Sequence, residues 1–284
     1  MKQISQSQIL DYQVCPWRYY LKNVRNLSWP EPITPRYQEL ARASRLGKSF
    51  HQFVHRYIQG MTFAELAKQD YEPEMLNWIQ NFRKSNPLPA EARLTSEIEL
   101  AATFENVLWI GFVDAIALLP DQALIFDWKT SKKPGAPAEL QKSPQTRLYR
   151  FLLYHARQDF LPDTGQSLKP EAITMVYWYP NWPSAPVRLP YSDQLFRQDQ
   201  DYFRQIALDL SQEDPSFFPQ TPDEDVCRSC RFQTFCRRGI QPQAASADEP
   251  DWNPDTAYAQ DAFDFMDDEP MDSDGAESVL GPGI

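Results

Sequence analysis

The sequence predicts an α/β protein in which helices flank a mixed central sheet. Three observations predict it: an amphipathic helical pattern precedes a block of strand-like segments, a helical segment interrupts that block, and another helix closes it. Residues 43–59 place Leu46, Phe50, Phe53, Val54, Tyr57 and Ile58 at helical spacing, and 62–84 reads as a second amphipathic helical region. Segments 93–104, 107–119, 123–130 and 172–179 are rich in β-branched and aromatic residues, with a Pro120-Asp121 turn signal between the second and third. Between the third and fourth strands, Ser143 is positioned to cap a helix whose first residue is Pro144, and Leu148, Phe151, Leu152 and His155 continue its period. That helix is expected to cross over between strands. A last helix over 192–210 begins at Ser192 and carries Leu195, Phe196, Tyr202, Phe203, Ile206 and Leu210.

A chain of 284 residues can bury one substantial core. No apolar run approaches the roughly 18 residues of a membrane span, and the polar N-terminus lacks the apolar stretch of a signal peptide, so a cytoplasmic protein with no membrane contact is expected. The net charge of −11, taken over the whole chain, argues against a nucleic-acid partner. However, from Gly239 onward there are twelve acids and no Lys or Arg, so residues 1–238 carry +1. The chain therefore divides into a domain over 1–240 and an acidic, disordered tail over 241–284. In the tail, Phe263, Phe265 and Met266 lie among acids that could compete with DNA or dock on a partner.

Chemistry concentrates in the strand IFDWKTSK. Alternation puts Asp127 and Lys129 on one face and Trp128 on the other, while Asp114 interrupts an apolar run one strand earlier. A carboxylate in such a run needs a cation or hydrogen-bond donors. Two aspartates from neighbouring strands form the kind of oxygen pocket that Mg2+ or Mn2+ prefers, and a lysine beside it can orient an attacking water. Asp127 and Lys129 alone could equally be a surface ion pair. What favours a site is the order of the set: His51 on a helix, Asp114 and Asp127-x-Lys129 on successive strands, then Gln145-x-x-x-Tyr149 on one helical face. Two other patterns lead nowhere. Gly47-Lys48-Ser49 lacks the first glycine of a phosphate loop, since position 42 is Arg, and His51/His55 lack the glutamate of a zinc protease, Gln52 standing in its place. His55 is read as structural.

The cysteines are Cys15, Cys227, Cys230 and Cys236. In a cytoplasmic chain, a C-x2-C-x5-C group with one distant partner suits metal ligation better than disulfides, leaving iron-sulfur and zinc as the alternatives.

These residues together resemble the RecB-type branch of the PD-(D/E)xK nuclease superfamily, which includes the CRISPR-associated iron-sulfur exonucleases. The resemblance spans about residues 5–238 and includes Cys15-Pro16-Trp17-Arg18-Tyr19-Tyr20. It implies a restriction-endonuclease-like fold whose termini are joined by a 4Fe-4S cluster on Cys15, Cys227, Cys230 and Cys236. It implies Mg2+ or Mn2+ on His51, Asp114 and Asp127, with the Trp128 carbonyl as an added ligand and Lys129 in catalysis. Gln145 and Tyr149 would contact DNA or brace the site, and Glu97 matches an acidic position near such sites. The implied activity is hydrolysis of DNA phosphodiester bonds, with exonuclease action the expected mode, in repair, recombination or CRISPR-type defence. The implied substrate is single-stranded DNA or DNA with free ends, and a separately encoded helicase is an expected partner. Arg228, Arg231, Arg237 and Arg238 are expected to hold phosphates beside the cluster. The competing reading is a non-catalytic iron-sulfur or zinc scaffold of the same fold that binds DNA.

Overall fold

The computed structural model describes residues 1–28, 35–156, 168–228 and 230–236. Arg237, Arg238 and the acidic tail lie outside the described residues. The chain opens with strand β1 (Lys2–Ser5) and helices α1 (Gln6–Val14) and α2 (Pro16–Tyr19), the latter running into a π-helical turn at Tyr20–Val24. Helices α3 (Pro35–Ile58), α4 (Phe63–Leu66) and α5 (Pro73–Ser85) precede strands β2 (Arg93–Phe104), β3 (Val107–Leu118) and β4 (Ala123–Trp128). Helices α6 (Pro137–Lys142) and α7 (Pro144–His155) then lead to β5 (Ile173–Trp178), β6 (Val187–Pro190) and α8 (Asp193–Leu210). Short helices α9 (Glu224–Arg228) and α10 (Gln233–Cys236) follow.

Local chemistry sets these boundaries. The Ser143 hydroxyl accepts from Thr146 N at 3.2 Å ahead of Pro144, and Ser192 does the same for Leu195 N at 3.2 Å. Glu105 and Asn106, both at positive φ, close the β2–β3 hairpin in the two-residue turn that matches strand twist. The helical region expected over 62–84 is made of two helices. Thr62 and Glu65 cap a single short turn, and Pro73 starts a new helix. Strands β1 and β6, four residues each, were not expected, because so short a segment carries no usable periodicity.

The sheet is mixed, in the order β1-β3-β4-β5-β6, with β2 on the remaining edge of β3. β1 and β3 are parallel, as are β4 and β5; the other pairs are antiparallel. Helices cover both faces. On one, Leu148, Phe151 and Leu152 of α7 and Phe203 and Ile206 of α8 pack on Trp109, Ile125, Met175 and Tyr177. On the other, Phe50, Phe53 and Val54 of α3 and Trp78 and Phe82 of α5 pack on Leu124, Phe126, Trp128 and Trp178. Burial on both sides explains why β4 reads as an uninterrupted apolar run until Asp127.

One register detail creates the site. β2 occupies one edge of β3 along its whole length, so β1 and β4 must share the other. β1 ends its pairing at Ser5↔Ile110 and β4 begins at Ala115↔Phe126. Among the described strands, none covers residues 111–114 on that edge. Asp127 and Trp128 run past the last β3 rung and pair only with Tyr177 and Trp178 of β5. The sheet forks there.

Candidate active site

Side chains from four elements meet at this fork. The Asp114 carboxylate spans the split, its Oδ2 accepting from the Trp128 backbone N–H at 2.8 Å. From α3, the His51 ring places Nδ1 3.1 Å from Asp114 Oδ1 and Nε2 2.7 Å from the Trp128 carbonyl. Its neighbour Phe50 anchors the helix, stacked on Trp178 with ring centroids 5.9 Å apart. Burial alone would lower the His51 pKa. The carboxylates of Asp114 and Asp127 and the Trp128 carbonyl outweigh it and raise the value to about 9, so the ring is cationic at neutral pH.

On the α7 side, Asp127 Oδ2 lies 3.1 Å from Lys129 Nζ, as expected for a shared face. Gln145 joins the pair through both ends of its amide, accepting from Lys129 Nζ at 2.9 Å and donating to Asp127 Oδ1 at 2.7 Å. Tyr149, one turn along α7, is buried, with its hydroxyl 3.4 Å from Gln145 Nε2. Burial first, and then the Asp127 charge, push its phenol pKa far up, so it stays protonated.

Tyr177 is a site neighbour that the sequence reading missed. Its hydroxyl shares a 2.7 Å hydrogen bond with Thr146 Oγ1 and lies 3.4 Å from Gln145 Oε1, and the Lys129 ammonium sits 5.6 Å from its ring centroid. The available signal was parity, since β4 and β5 are parallel and Tyr177 pairs with Asp127.

Gly111, at the fork, has a steric reason to be glycine. A Cβ there would stand 2.9 Å from the Tyr149 ring and 3.1 Å from Leu152. Gly111→Ala is expected to push α7 outward and cost about 1–3 kcal/mol, typical of overpacking, seen as a thermal midpoint lower by several degrees. An unchanged midpoint would show that α7 is not seated on this residue.

Glu97 stands at the cross-strand position opposite Asp114 with φ +52°, a left-handed conformation that is costly for a non-glycine residue. The pleat inverts there. Ser96 bonds His55 of α3 at 2.9 Å, whereas Ile98 joins the opposite core, and in β3 Val113 and Ala115 likewise fall on different faces. The Glu97 side chain is open to solvent, yet its pKa is raised, by partial burial first and then by Asp114.

The four cysteines also meet. Cys15 lies buried at the junction of α1 and α2; Cys227 ends near the close of α9, and Cys230 and Cys236 follow. All four line one cavity, with Arg18, Gln220, Thr221, Val226, Phe232 and Gln233, and none is in a disulfide. Among the described residues, no group of three or more His, Cys, Asp or Glu side chains is gathered around a metal-sized centre. The donor set, four thiols on one cavity, is nonetheless the kind that an iron-sulfur cluster or zinc takes. The N- and C-terminal segments touch beside it. Trp17 N donates to Pro219 O at 3.2 Å, and Tyr19 and Tyr20 stack on Phe218 with centroids 5.8 and 5.3 Å apart. Arg228 is paired with Asp225 one turn away.

Comparison with known proteins fits this arrangement. A family model, the PD-(D/E)XK nuclease superfamily, matches residues 3–237. The chain belongs to the PD-(D/E)XK nuclease superfamily. Among solved structures, a candidate exonuclease from Eubacterium rectale has the same fold, with 10% identity, a TM-score of 0.50, and coverage of 86% of this chain and 91% of that one. The structure of SSO0001 aligns over 84% of this chain and 87% of its own at 13% identity and a TM-score of 0.33. No curated protein matches in sequence. For a nuclease of this superfamily DNA is the expected substrate, and the mixed sheet between helices is the expected fold. No helix among the described residues is long and apolar enough to cross a membrane.

Proposed function

We propose that this chain is a Mg2+- or Mn2+-dependent DNA nuclease of the RecB type, degrading DNA from free ends. The single observation that supports this reading best is the network at the fork. His51, Asp114, Asp127, the Trp128 carbonyl, Lys129 and Gln145 come from four elements and are joined by contacts of 2.7–3.1 Å. A structural ion pair needs two partners, not this set.

The hard oxygens of Asp114, Asp127 and the Trp128 carbonyl, with the His51 imidazole, suit a divalent ion of this kind. An ion held there would supply positive charge to the phosphate and would make the attacking water more acidic. The protein does the rest by placement. Asp127 and Gln145 hold the Lys129 ammonium between them, which fixes it to orient the attacking water and to meet charge growing on the phosphate oxygens. Gln145, braced by Tyr149 and Tyr177, keeps that ammonium from collapsing onto Asp127 alone. Glu97, opposite Asp114, adds a carboxylate that can accept a proton near the site.

In the same reading, Cys15, Cys227, Cys230 and Cys236 hold a 4Fe-4S cluster that fastens the two ends of a domain over residues 1–240, with zinc the alternative occupant. The settings that suit such an enzyme are DNA repair, recombination or CRISPR-type defence, beside a separately encoded helicase, in the cytoplasm.

The test is degradation of end-labelled linear DNA and covalently closed circular DNA. Linear substrate is expected to disappear with Mg2+ or Mn2+ and to persist in EDTA, with the closed circle spared. Hydrolysis undiminished by EDTA would overturn the metal assignment, and equal cutting of the circle would overturn action from ends.

A further inference from the structure

The loop that leaves the catalytic strand is fastened to the loop that leaves β5. Asn181 Nδ2 donates to Ser131 O at 3.2 Å, Trp182 Nε1 to Lys132 O at 2.8 Å, and Gly135 N to the Tyr179 hydroxyl at 3.2 Å. From α5, Trp78 Nε1 donates to Asn181 Oδ1 at 2.9 Å and Asn81 Nδ2 to Pro180 O at 2.8 Å. A turn bond from Trp182 N to Tyr179 O at 2.9 Å completes the clasp. Both loops are thus held from three directions, yet the residue Trp182 is 47% exposed.

A lone exposed apolar residue usually means little. This one differs in being held: its indole N–H is tied to Lys132 O while much of the residue stays open to solvent. The loop it grips begins at Lys129 and displays Lys132 and Lys133 to solvent. Lys132 lies three residues from Lys129, so its Cα is at most about 11 Å away. A fixed aromatic face beside exposed ammonium groups is the combination by which proteins hold unpaired bases and their phosphates, and it has no use for bases stacked inside a duplex.

We propose that Trp182 and Lys132 form a contact for single-stranded DNA next to the scissile phosphate, Trp182 stacking on a base and Lys132 taking a phosphate. The proposal rests on the nuclease reading and narrows its substrate to a strand unpaired at that point.

The experiment measures binding of a fluorescein-labelled oligothymidylate and of a blunt duplex to the full chain without added divalent metal, over a range of salt. Trp182→Ala is expected to weaken single-strand binding about tenfold, the effect of losing one stacked base, with duplex binding changed less. Trp182→Phe keeps a stacking ring but loses the indole N–H bond to Lys132 O, so its affinity should fall between wild type and Trp182→Ala. Lys132→Ala should reduce the slope of log affinity against log salt by about 0.7. Phe217→Ala, which removes an aromatic 56% exposed outside these loops, should change nothing. Unchanged affinity in Trp182→Ala, equal loss on duplex, or a Trp182→Phe variant as weak as Trp182→Ala would overturn the proposal. A wild-type chain that binds and cuts no DNA would instead overturn the nuclease reading beneath it.

Discussion

Lys129→Ala is expected to lower the rate of DNA hydrolysis about a thousandfold, the scale seen when a group that stabilises transition-state charge or moves a proton is removed. The ammonium is held 3.1 Å from Asp127 and 2.9 Å from Gln145, so it is placed rather than free to wander. Removing it should leave the fold intact, because the aromatic cores on both sides of the sheet do not depend on it. Lys129→Gln sharpens the test by keeping a hydrogen-bond donor to Gln145 while deleting the charge. Both variants should melt near the wild-type temperature and both should be nearly inactive at saturating Mn2+. An active Lys129→Gln would show that the charge is dispensable.

The second large effect is expected at the cysteine cavity. Protein purified without oxygen should contain iron and acid-labile sulfide, and Cys230→Ala should lose both. The loop fastened between Cys15 and Cys227 spans about 210 residues. By analogy with a covalent crosslink, its closure is worth about 5 kcal/mol, which for a domain of this size is a fall of about 10 °C in melting temperature. Contacts that do not involve sulfur, such as Trp17 to Pro219 and the stacking of Tyr19 and Tyr20 on Phe218, should keep part of the fold together. Stoichiometric zinc and no iron in the wild type would decide for the other occupant. Unaltered melting in the variant would contradict the fastening role.

The long elements were legible because their chemistry is local. β2 was predicted with its observed limits, and α7 began at Pro144 as Ser143 required. The meeting of His51, Asp114, Asp127, Lys129 and Gln145 was legible through the order of residue types along the chain, and the convergence of four cysteines through their spacing. What could not be read was non-local. That β1 and β4 share one edge of β3 and leave a fork at 111–114 is a fact of pairing register, which periodicity does not encode. The inverted pleat at Glu97 is invisible for the opposite reason: alternation is the rule from which strands are inferred, and the chain breaks it beside the site. Tyr177 was hidden until β5 was known to run parallel to β4 in register.

A divalent ion held at the fork is central to the proposed chemistry, and calorimetric titration of Mn2+ into wild type and Asp114→Asn tests for it most directly. His51 must lose its proton to bind a metal. With a pKa raised to about 9, its proton competes most strongly at low pH, so wild-type affinity should rise by up to about tenfold per unit between pH 6.5 and 9 and flatten above. Without metal the sign is reversed: the cationic ring's contribution to stability is complete below about pH 6.5 and is lost as pH rises through about 9. Asp114→Asn removes a charged oxygen ligand and should abolish measurable binding at neutral pH. Mn2+ binding of equal affinity in wild type and Asp114→Asn, with no dependence on pH, would contradict the central claim.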